Sequence, residues 1–366
     1  MHKLAIIGVR GYPSYYGGFE TCIRRLAPYL GAHGWDVRVY ARPGASRNDD
    51  ATYDPRVKTT ITPGIDSKSL STLTFGLTAA LHTLFHKPDV ALVMNVANGF
   101  WIPLLRLRGI PVLTNVDGIE WERAKWGKLA RAVFKVGARL TAWSSNALIF
   151  DAAAIAKRWQ HDYSRSGTII AYGGDSVAAL PTPPGLTHRG YALVVARFVP
   201  ENTIAEFLTA AETIAQHYDV VLVGSSGYGG EIDAQVEALA AANPRVHCYG
   251  HLSDDNLLHA LWQHAGVYFH GHSVGGTNPA LVQAMACGSP IVARDTVYNR
   301  EVLCDAGRFS TAEPKNIATA CLEVLANQTT QEQLAAAALA RAQSHYTWES
   351  VNAAYATALT QQLRKR

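Results

Sequence analysis

The feature that most narrows the fold is an alternation that occurs twice. Short apolar runs at Leu4–Gly8, Val37–Tyr40, Val90–Met94 and Pro111–Asn115 are separated by stretches with helical spacing. After a break the texture resumes at Tyr191–Arg197, Val220–Gly224, Val246–Tyr249, Gly266–His270 and Pro290–Arg294. Runs of this kind alternating with helices predict parallel strands covered on both faces. Ala142–Ser145 reads as one further strand. Between the first two runs, Phe19, Cys22, Ile23, Leu26 and Leu30 follow the spacing of one helix face, and Pro28 is expected to kink that helix or end it early. The break, Leu-Pro-Thr-Pro-Pro-Gly-Leu-Thr-His-Arg-Gly at 180–190, has a linker composition. The 366 residues therefore divide into 1–180, 189–345 and a closing helical segment, 346–366, with Trp348, Val351, Tyr355 and Leu359 on one side.

Composition excludes several classes. Hydrophobic residues make up 48% of the chain, ample for two cores, so disorder is not its main state. The five cysteines, Cys22, Cys248, Cys287, Cys304 and Cys321, are scattered, odd in number and without Cys-x-x-Cys spacing. That is neither a disulfide framework nor a zinc site, and it predicts a reducing, cytoplasmic setting. The start runs straight into a strand pattern with no signal-peptide body. The longest apolar stretch, Ser71–Phe85, is broken by hydroxyl residues, Gly76 and His82 and falls short of the roughly 18 residues a spanning helix needs.

The net charge of +4 is too small to argue for nucleic acid, but it is unevenly placed. Residues 121–140 hold Arg123, Lys125, Lys128, Arg131, Lys135 and Arg139 against Glu122 alone, a net of +5, which leaves −1 for the rest. Lys128, Arg131, Lys135 and Arg139 share one helical face, a pattern that suits an anionic membrane surface or a merely solvated face. Phe100–Leu105 just upstream reads as an apolar wedge or as core.

Two α/β halves place a cleft at the carboxyl ends of their strands, where open sheets bind ligands. Gly17 and Gly18, at the start of the first helix, let backbone N–H groups approach an anion. Glu20 behind them is either a first-turn dipole partner or a ligand contact. No Gly-x-Gly-x-x-Gly is present, and Tyr40-Ala41-Arg42 lacks the acidic residue that holds an adenosine ribose, which argues against a dinucleotide dehydrogenase. In the second half the device recurs. Gly275 and Gly276 permit a turn, Thr277 and Asn278 stand at a helix start, and Pro279 fits the first helical position. A diphosphate there would be stabilised by the helix dipole and by Arg197 at the end of that half's first strand. His270 and His272 beside this loop have no third ligand close in sequence, so no metal is expected.

Five blocks carry a family resemblance: Gly-x-Pro-x-x-Tyr-Gly-Gly-Phe-Glu-Thr (11–21), Asn-Val-Asp-Gly-Ile-Glu-Trp-x-Arg-x-Lys-Trp (115–126), Ala-Tyr-Gly-Gly-Asp (171–175), Ala-Arg-Phe-Val-Pro-Glu-Asn (196–202) and Gly-His-Ser-Val-Gly-Gly-Thr-Asn-Pro-Ala-Leu (271–281). In order and content they resemble the bacterial rhamnosyltransferase branch of the family 4 retaining glycosyltransferases. The resemblance implies a GT-B fold. Two Rossmann-like domains face each other across a cleft, the N-terminal on the acceptor side and the C-terminal holding the nucleotide-sugar, with the terminal helix crossing back to the first domain. It implies no metal or other cofactor, a dTDP-β-L-rhamnose donor, and transfer of rhamnose to a sugar hydroxyl of a lipid-linked glycan at the inner face of the cell membrane.

Residue by residue, Arg197 matches the diphosphate arginine, while Asn202 stands where the family has a lysine. Gly275 and Gln283 occupy the places of two glutamates. Gln283 retains one acceptor for ribose without the charge, which suits a deoxyribose. Asp117 stands where many relatives have a histidine and is the candidate contact to the transferring sugar or acceptor hydroxyl. As a bare Asp-Gly pair it would only shape a turn. Glu120 and Trp121 either line the acceptor site or cap and pack the next helix. The family's retention is attributed to a front-face path in which the departing phosphate oxygen takes the acceptor proton. The alternatives are a same-fold transferase using UDP-hexose or GDP-mannose, and an inactive sugar-nucleotide-binding protein.

Overall fold

The computed structural model describes residues 1–15, 17–67, 70–123, 126–227 and 229–364. The alternation builds two parallel sheets in two compact units, Met1–Tyr172 with Trp348–Arg366, and Gly173–Thr347. The first unit runs β1 (His2–Ile7), α1 (Gly18–Ala32), β2 (Trp35–Ala41), β3 (Lys58–Ile61), α2 (Ser71–His86), β4 (Val90–Met94), α3 (Ile102–Leu107), β5 (Val112–Asn115), α4 (Lys128–Ser144), β6 (Ala147–Phe150), α5 (Ala153–Tyr163) and β7 (Thr168–Ile169). The second runs β8 (Tyr191–Val195), α6 (Ile204–Ile214), β9 (Asp219–Val223), α7 (Glu231–Ala242), β10 (Val246–Gly250), α8 (Asp255–His264), β11 (Val267–His270), α9 (Pro279–Ala286), β12 (Ile291–Arg294), α10 (Val297–Leu303), β13 (Arg308–Ser310), α11 (Pro314–Leu325) and α12 (Gln328–His345). The closing helix α13 (Trp348–Leu363) returns to the first unit.

The sheet orders are β3-β2-β1-β4-β5-β6-β7 and β10-β9-β8-β11-β12-β13, with every pairing parallel. In each unit the chain starts at the sheet's middle, winds to one edge, and returns to the other side of its first strand. The winding reverses between β1 and β4 and between β8 and β11. There the loops leaving adjacent carboxyl ends diverge and open a crevice.

Where the observed elements differ from the sequence pattern, the cause is local. Ala142–Ser145 is not a strand: α4 continues to Ser144, with Thr141 and Ala142 buried on its inner face, and the strand begins at Ala147. Pro28 does not end α1, which runs to Ala32, because the buried face of Cys22, Ile23, Leu26, Ala27 and Leu30 holds the helix on the sheet. The strands β3, β7 and β13 give no apolar run, being two to four residues long and partly exposed at or near sheet edges.

The first unit ends at Tyr172, ahead of the 180–190 linker. Gly174 donates its N–H to the Tyr346 carbonyl at 2.8 Å, and Leu180 donates to Gln263 Oε1 at 2.9 Å, so 173–180 pack with the second unit. From α13, Trp348, Val351, Tyr355, Ala358 and Leu359 join Ile23, Leu26 and Leu30 of α1 in the first unit's core.

Candidate active site

At the β8–β11 crevice two loops brace one another. Ser273 donates from both its N–H (2.9 Å) and its hydroxyl (2.8 Å) to the Glu201 carbonyl. Thr203 Oγ1 donates to the Gly271 carbonyl at 2.5 Å and accepts from Arg294 Nη1 at 2.8 Å. The approach is so close that a Cβ on Gly271 would lie 2.3 Å from the Asn202 carbonyl oxygen. The turn into α9 needs glycine at Gly275, whose φ of +109° lies in the left-handed region, and a Cβ there would face open space. Asn278 caps α9, its side-chain oxygen accepting from the Ala280 N–H at 2.9 Å, and Pro279 opens the helix. Gly276 precedes the buried Thr277 at the same turn. Arg197 is exposed, and among the described residues its guanidinium has no partner. A cation and a helix N-terminus at one crevice are the two features that favour an anion.

Two residues expected to hold the donor are engaged elsewhere. Asn202 is buried and its Nδ2 donates to the Arg197 carbonyl at 2.8 Å, so it shapes the loop rather than replacing the family's lysine. Gln283 clamps the chain at Asp175, accepting from its N–H at 2.8 Å and donating to its carbonyl at 3.1 Å. The amide that was to meet a ribose thus holds the second unit's entry segment.

In the first unit, Gly8 (φ +100°) sits where a Cβ would lie 2.2 Å from the Met94 carbonyl oxygen, so the β1–β4 crevice depends on it. Gly17 caps α1 in extended backbone, and neither its φ nor crowding requires glycine; Gly18 is the first helical residue. Glu20 is buried and accepts from the Arg10 N–H at 2.9 Å, which closes the loop from β1. Asp117 holds a left-handed conformation, φ +63°, just past β5. Its N–H donates to Asn115 Oδ1 at 3.0 Å, while Asn115 Nδ2 donates to Tyr355 Oη of α13 at 2.6 Å. The buried Tyr172 hydroxyl is pushed well above its ordinary range, first by burial and then by the Asp117 and Asp151 carboxylates.

Glu120 and Trp121 turn inward. Glu120 is buried, pairs with Arg123 at 2.6 Å and accepts from Trp126 Nε1 at 3.2 Å. The Trp121 ring packs edge-on against Trp159 and Tyr163, at 6.5 and 6.2 Å between centroids. They cap and pack rather than face an acceptor. The Phe100–Leu105 wedge is largely core, with Ile102 and Leu105 fully buried. Lys125 lies outside the described residues.

His270 and His272 stack with nearly parallel rings, 4.4 Å apart and 9° between planes, so their nitrogens do not converge on one point. His270 Nδ1 meets Tyr268 Oη at 3.0 Å, and burial drives its pKa well below the usual value, so it is neutral. No cluster of three His, Cys, Asp or Glu able to hold a metal occurs among the described residues.

Three groups escaped the sequence reading. Asn115 and Tyr355 lie 240 residues apart and meet only in the fold. Glu201, inside the quoted 196–202 block, is buried with neither carboxylate oxygen partnered among the described residues. A buried polar group left without a hydrogen bond costs free energy, so a donor that reached it would be favoured. Its position one residue before Asn202 was the available signal.

Comparison with known proteins bears on both units. Residues 17–173 match a glycosyl transferase 4-like domain and residues 185–341 a glycosyl transferases group 1 domain. The O-antigen chain mannosyltransferase B of Escherichia coli is 25% identical over 172 residues, covering 45% of this chain and 44% of that protein. The phosphatidyl-myo-inositol mannosyltransferase of Mycobacterium leprae is 25% identical over 361 residues, covering 92% of this chain and 90% of that protein. Among solved structures, sucrose-phosphate synthase from Thermosynechococcus elongatus superposes with a TM-score of 0.81 at 18% identity, covering 100% of both chains. Anabaena HepE, solved with UDP, gives 0.74 at 16% identity over 99% of this chain and 100% of that one.

Proposed function

We propose, for a chain that is a glycosyltransferase of the GT-B type, that it moves L-rhamnose from dTDP-β-L-rhamnose to a sugar hydroxyl of a lipid-linked glycan without a metal. The observation that carries this reading is that Arg197, exposed and without a partner among the described residues, and the Gly275–Asn278 turn at the start of α9 stand at the same crevice. The donor diphosphate is assigned to that turn, with Arg197 neutralising it in the role a metal would otherwise fill. Glu201 accepts from a hydroxyl of the bound nucleotide-sugar, the partner it lacks among the described residues. In the transfer step the bond from the anomeric carbon to the phosphate oxygen breaks and the acceptor oxygen bonds on the same face. The acceptor's proton passes to the departing phosphate oxygen, and Asp117 orients the hydroxyl or the sugar. With Gln283 tied to Asp175, the site offers the ribose little, in keeping with a deoxyribose. Contact with the inner face of the cell membrane belongs to the same reading.

A second reading is a GDP-mannose or UDP-hexose donor; the names of two curated relatives, both mannosyltransferases, favour mannose. A panel of dTDP-rhamnose, UDP-glucose and GDP-mannose, assayed with crude lipid-linked acceptors by released nucleotide, separates the two. Arg197→Ala is expected to weaken binding of the active donor by on the order of 10- to 100-fold. Unchanged affinity and turnover would place the diphosphate elsewhere.

A further inference from the structure

The helices α2, α3 and α4 lie side by side on one face of the first unit's sheet. Arg106 of α3 donates to Asn146 Oδ1, just past α4, at 2.6 Å, and Arg108 donates to the Leu84 carbonyl of α2 at 3.3 Å. These bonds bring the carboxyl ends of the three helices together. There Phe85, Leu107 and Trp143 stand 85%, 86% and 77% exposed, with Leu81 (42%) one turn back on α2. Farther along α4, Leu129 and Val136 are also exposed, at 81% and 42%. Of the large hydrophobics that are exposed in the second unit, Val297 alone is found among the described residues. So many on one face mark an interaction surface.

The same three helices contain no Asp or Glu. Around the apolar residues stand Arg106, Arg108, Lys128, Lys135 and Arg139, all exposed. At 100° per residue, Lys135, Lys128, Arg139, Ala132, Trp143, Val136 and Leu129 occupy an arc of about 120° on α4, cations on one side and apolar side chains on the other. Arg131, expected on the basic face, instead donates to the Arg123 carbonyl. Trp121 and Arg123 turn inward with Glu120, while Glu122 pairs with Arg158 at 2.8 Å, so the outward surface is not the 121–140 segment as a whole.

We infer that this three-helix face docks on an anionic lipid surface, Phe85, Leu107 and Trp143 entering the interface while the cations meet the headgroups. The inference sharpens the membrane contact proposed above and rests on that part of the reading alone, not on the donor. A second copy of the chain fits poorly, because a twofold contact would set two uniformly basic faces against each other. Nucleic acid fits poorly as well, because protruding Phe, Leu and Trp side chains do not suit phosphate-contacting surfaces, which are more polar. A bilayer with anionic headgroups satisfies both the charge and the apolar edge. None of the described helices is long and apolar enough to cross it.

The test is sedimentation of the full chain with phosphatidylcholine vesicles, with and without 30 mol% phosphatidylglycerol, in the absence of any nucleotide-sugar. Binding is expected with the anionic vesicles and is expected to weaken as salt rises. Replacing Lys128, Lys135 and Arg139 together by Gln should lower partitioning by on the order of a hundredfold. Phe85→Ala with Trp143→Ala should lower the binding that remains at high salt, and Ile61→Ala, at an exposed site on β3, should change nothing. Equal binding to neutral vesicles, no binding to either, or variants that bind as the parent does would overturn the inference. So would a concentration-dependent dimer that the same substitutions abolish. A failure here leaves donor binding intact, and a failed donor panel leaves vesicle binding intact, so the two ideas fall separately.

Discussion

At the scale of single residues, the site depends on side chains whose roles sequence position does not reveal. Asp117 is held at a left-handed φ by Asn115, and Asn115 is held by Tyr355. If Asp117 acts as proposed, Tyr355 is a positioning residue: it touches no candidate ligand group but anchors Asn115, which orients Asp117. Tyr355→Phe keeps the ring in the core and removes the acceptor of the Asn115 Nδ2–H. We expect a stability loss of about 1–2 kcal/mol from the unpaired buried amide. We also expect a lower kcat with little change in donor KM, read from initial rates. A KM change with kcat preserved would deny it this role. Gln283 shows the opposite outcome. Its place in the motif suggested ribose, yet both ends of its amide are bonded to Asp175. The motif was legible, but the partner was not, since Asp175 lies 108 residues away.

At the scale of elements, apolar runs located the central strands, and apolar spacing the first and last helices, because burial is what such patterns encode. The β4 run, buried at every position, coincides with its predicted span, while the short strands β3, β7 and β13 carried no such signal. Helix α13 shows what spacing leaves open: its apolar side was evident, but not which core it enters. Leu359, fully buried in the first unit, should on replacement by Ala lower unfolding free energy by about 2–5 kcal/mol, measured by urea titration. Leu107→Ala, at an 86% exposed position, should shift it by no more than about 0.5 kcal/mol. Equal effects would mean that Leu107 is packed or that Leu359 is not.

At the scale of the molecule, each unit carries its own core and its own crevice, so their stabilities respond to different conditions. His270 is buried, neutral and depressed by desolvation and by the neighbouring His272. The unfolded chain binds a proton there below a pH of about 6.5, whereas the folded unit does not. The second unit's stability is thus fully present above that pH and declines as pH falls below it, by up to about 1.4 kcal/mol per pH unit for this one group. Across pH 7.5 to 5.5, the drop in melting temperature should be smaller in His270→Gln than in the parent; an unchanged drop would assign the acid sensitivity to other groups.

The basicity that a net charge of +4 only hinted at is a local property. The sequence by itself determined that charge is concentrated near 121–140, that two parallel α/β halves exist, and that a glycine turn and Arg197 stand at a strand's end. These are local facts, set by backbone conformation and burial period within one segment. Only the tertiary structure decided that Glu120 and Trp121 turn inward, that Asn202 and Gln283 brace the backbone, and that the cations of α4 share a face with Phe85 and Leu107. Each of these depends on contacts between residues that the fold, not the chain order, brings together, and hydrogen bonding and exposure are properties of such contacts.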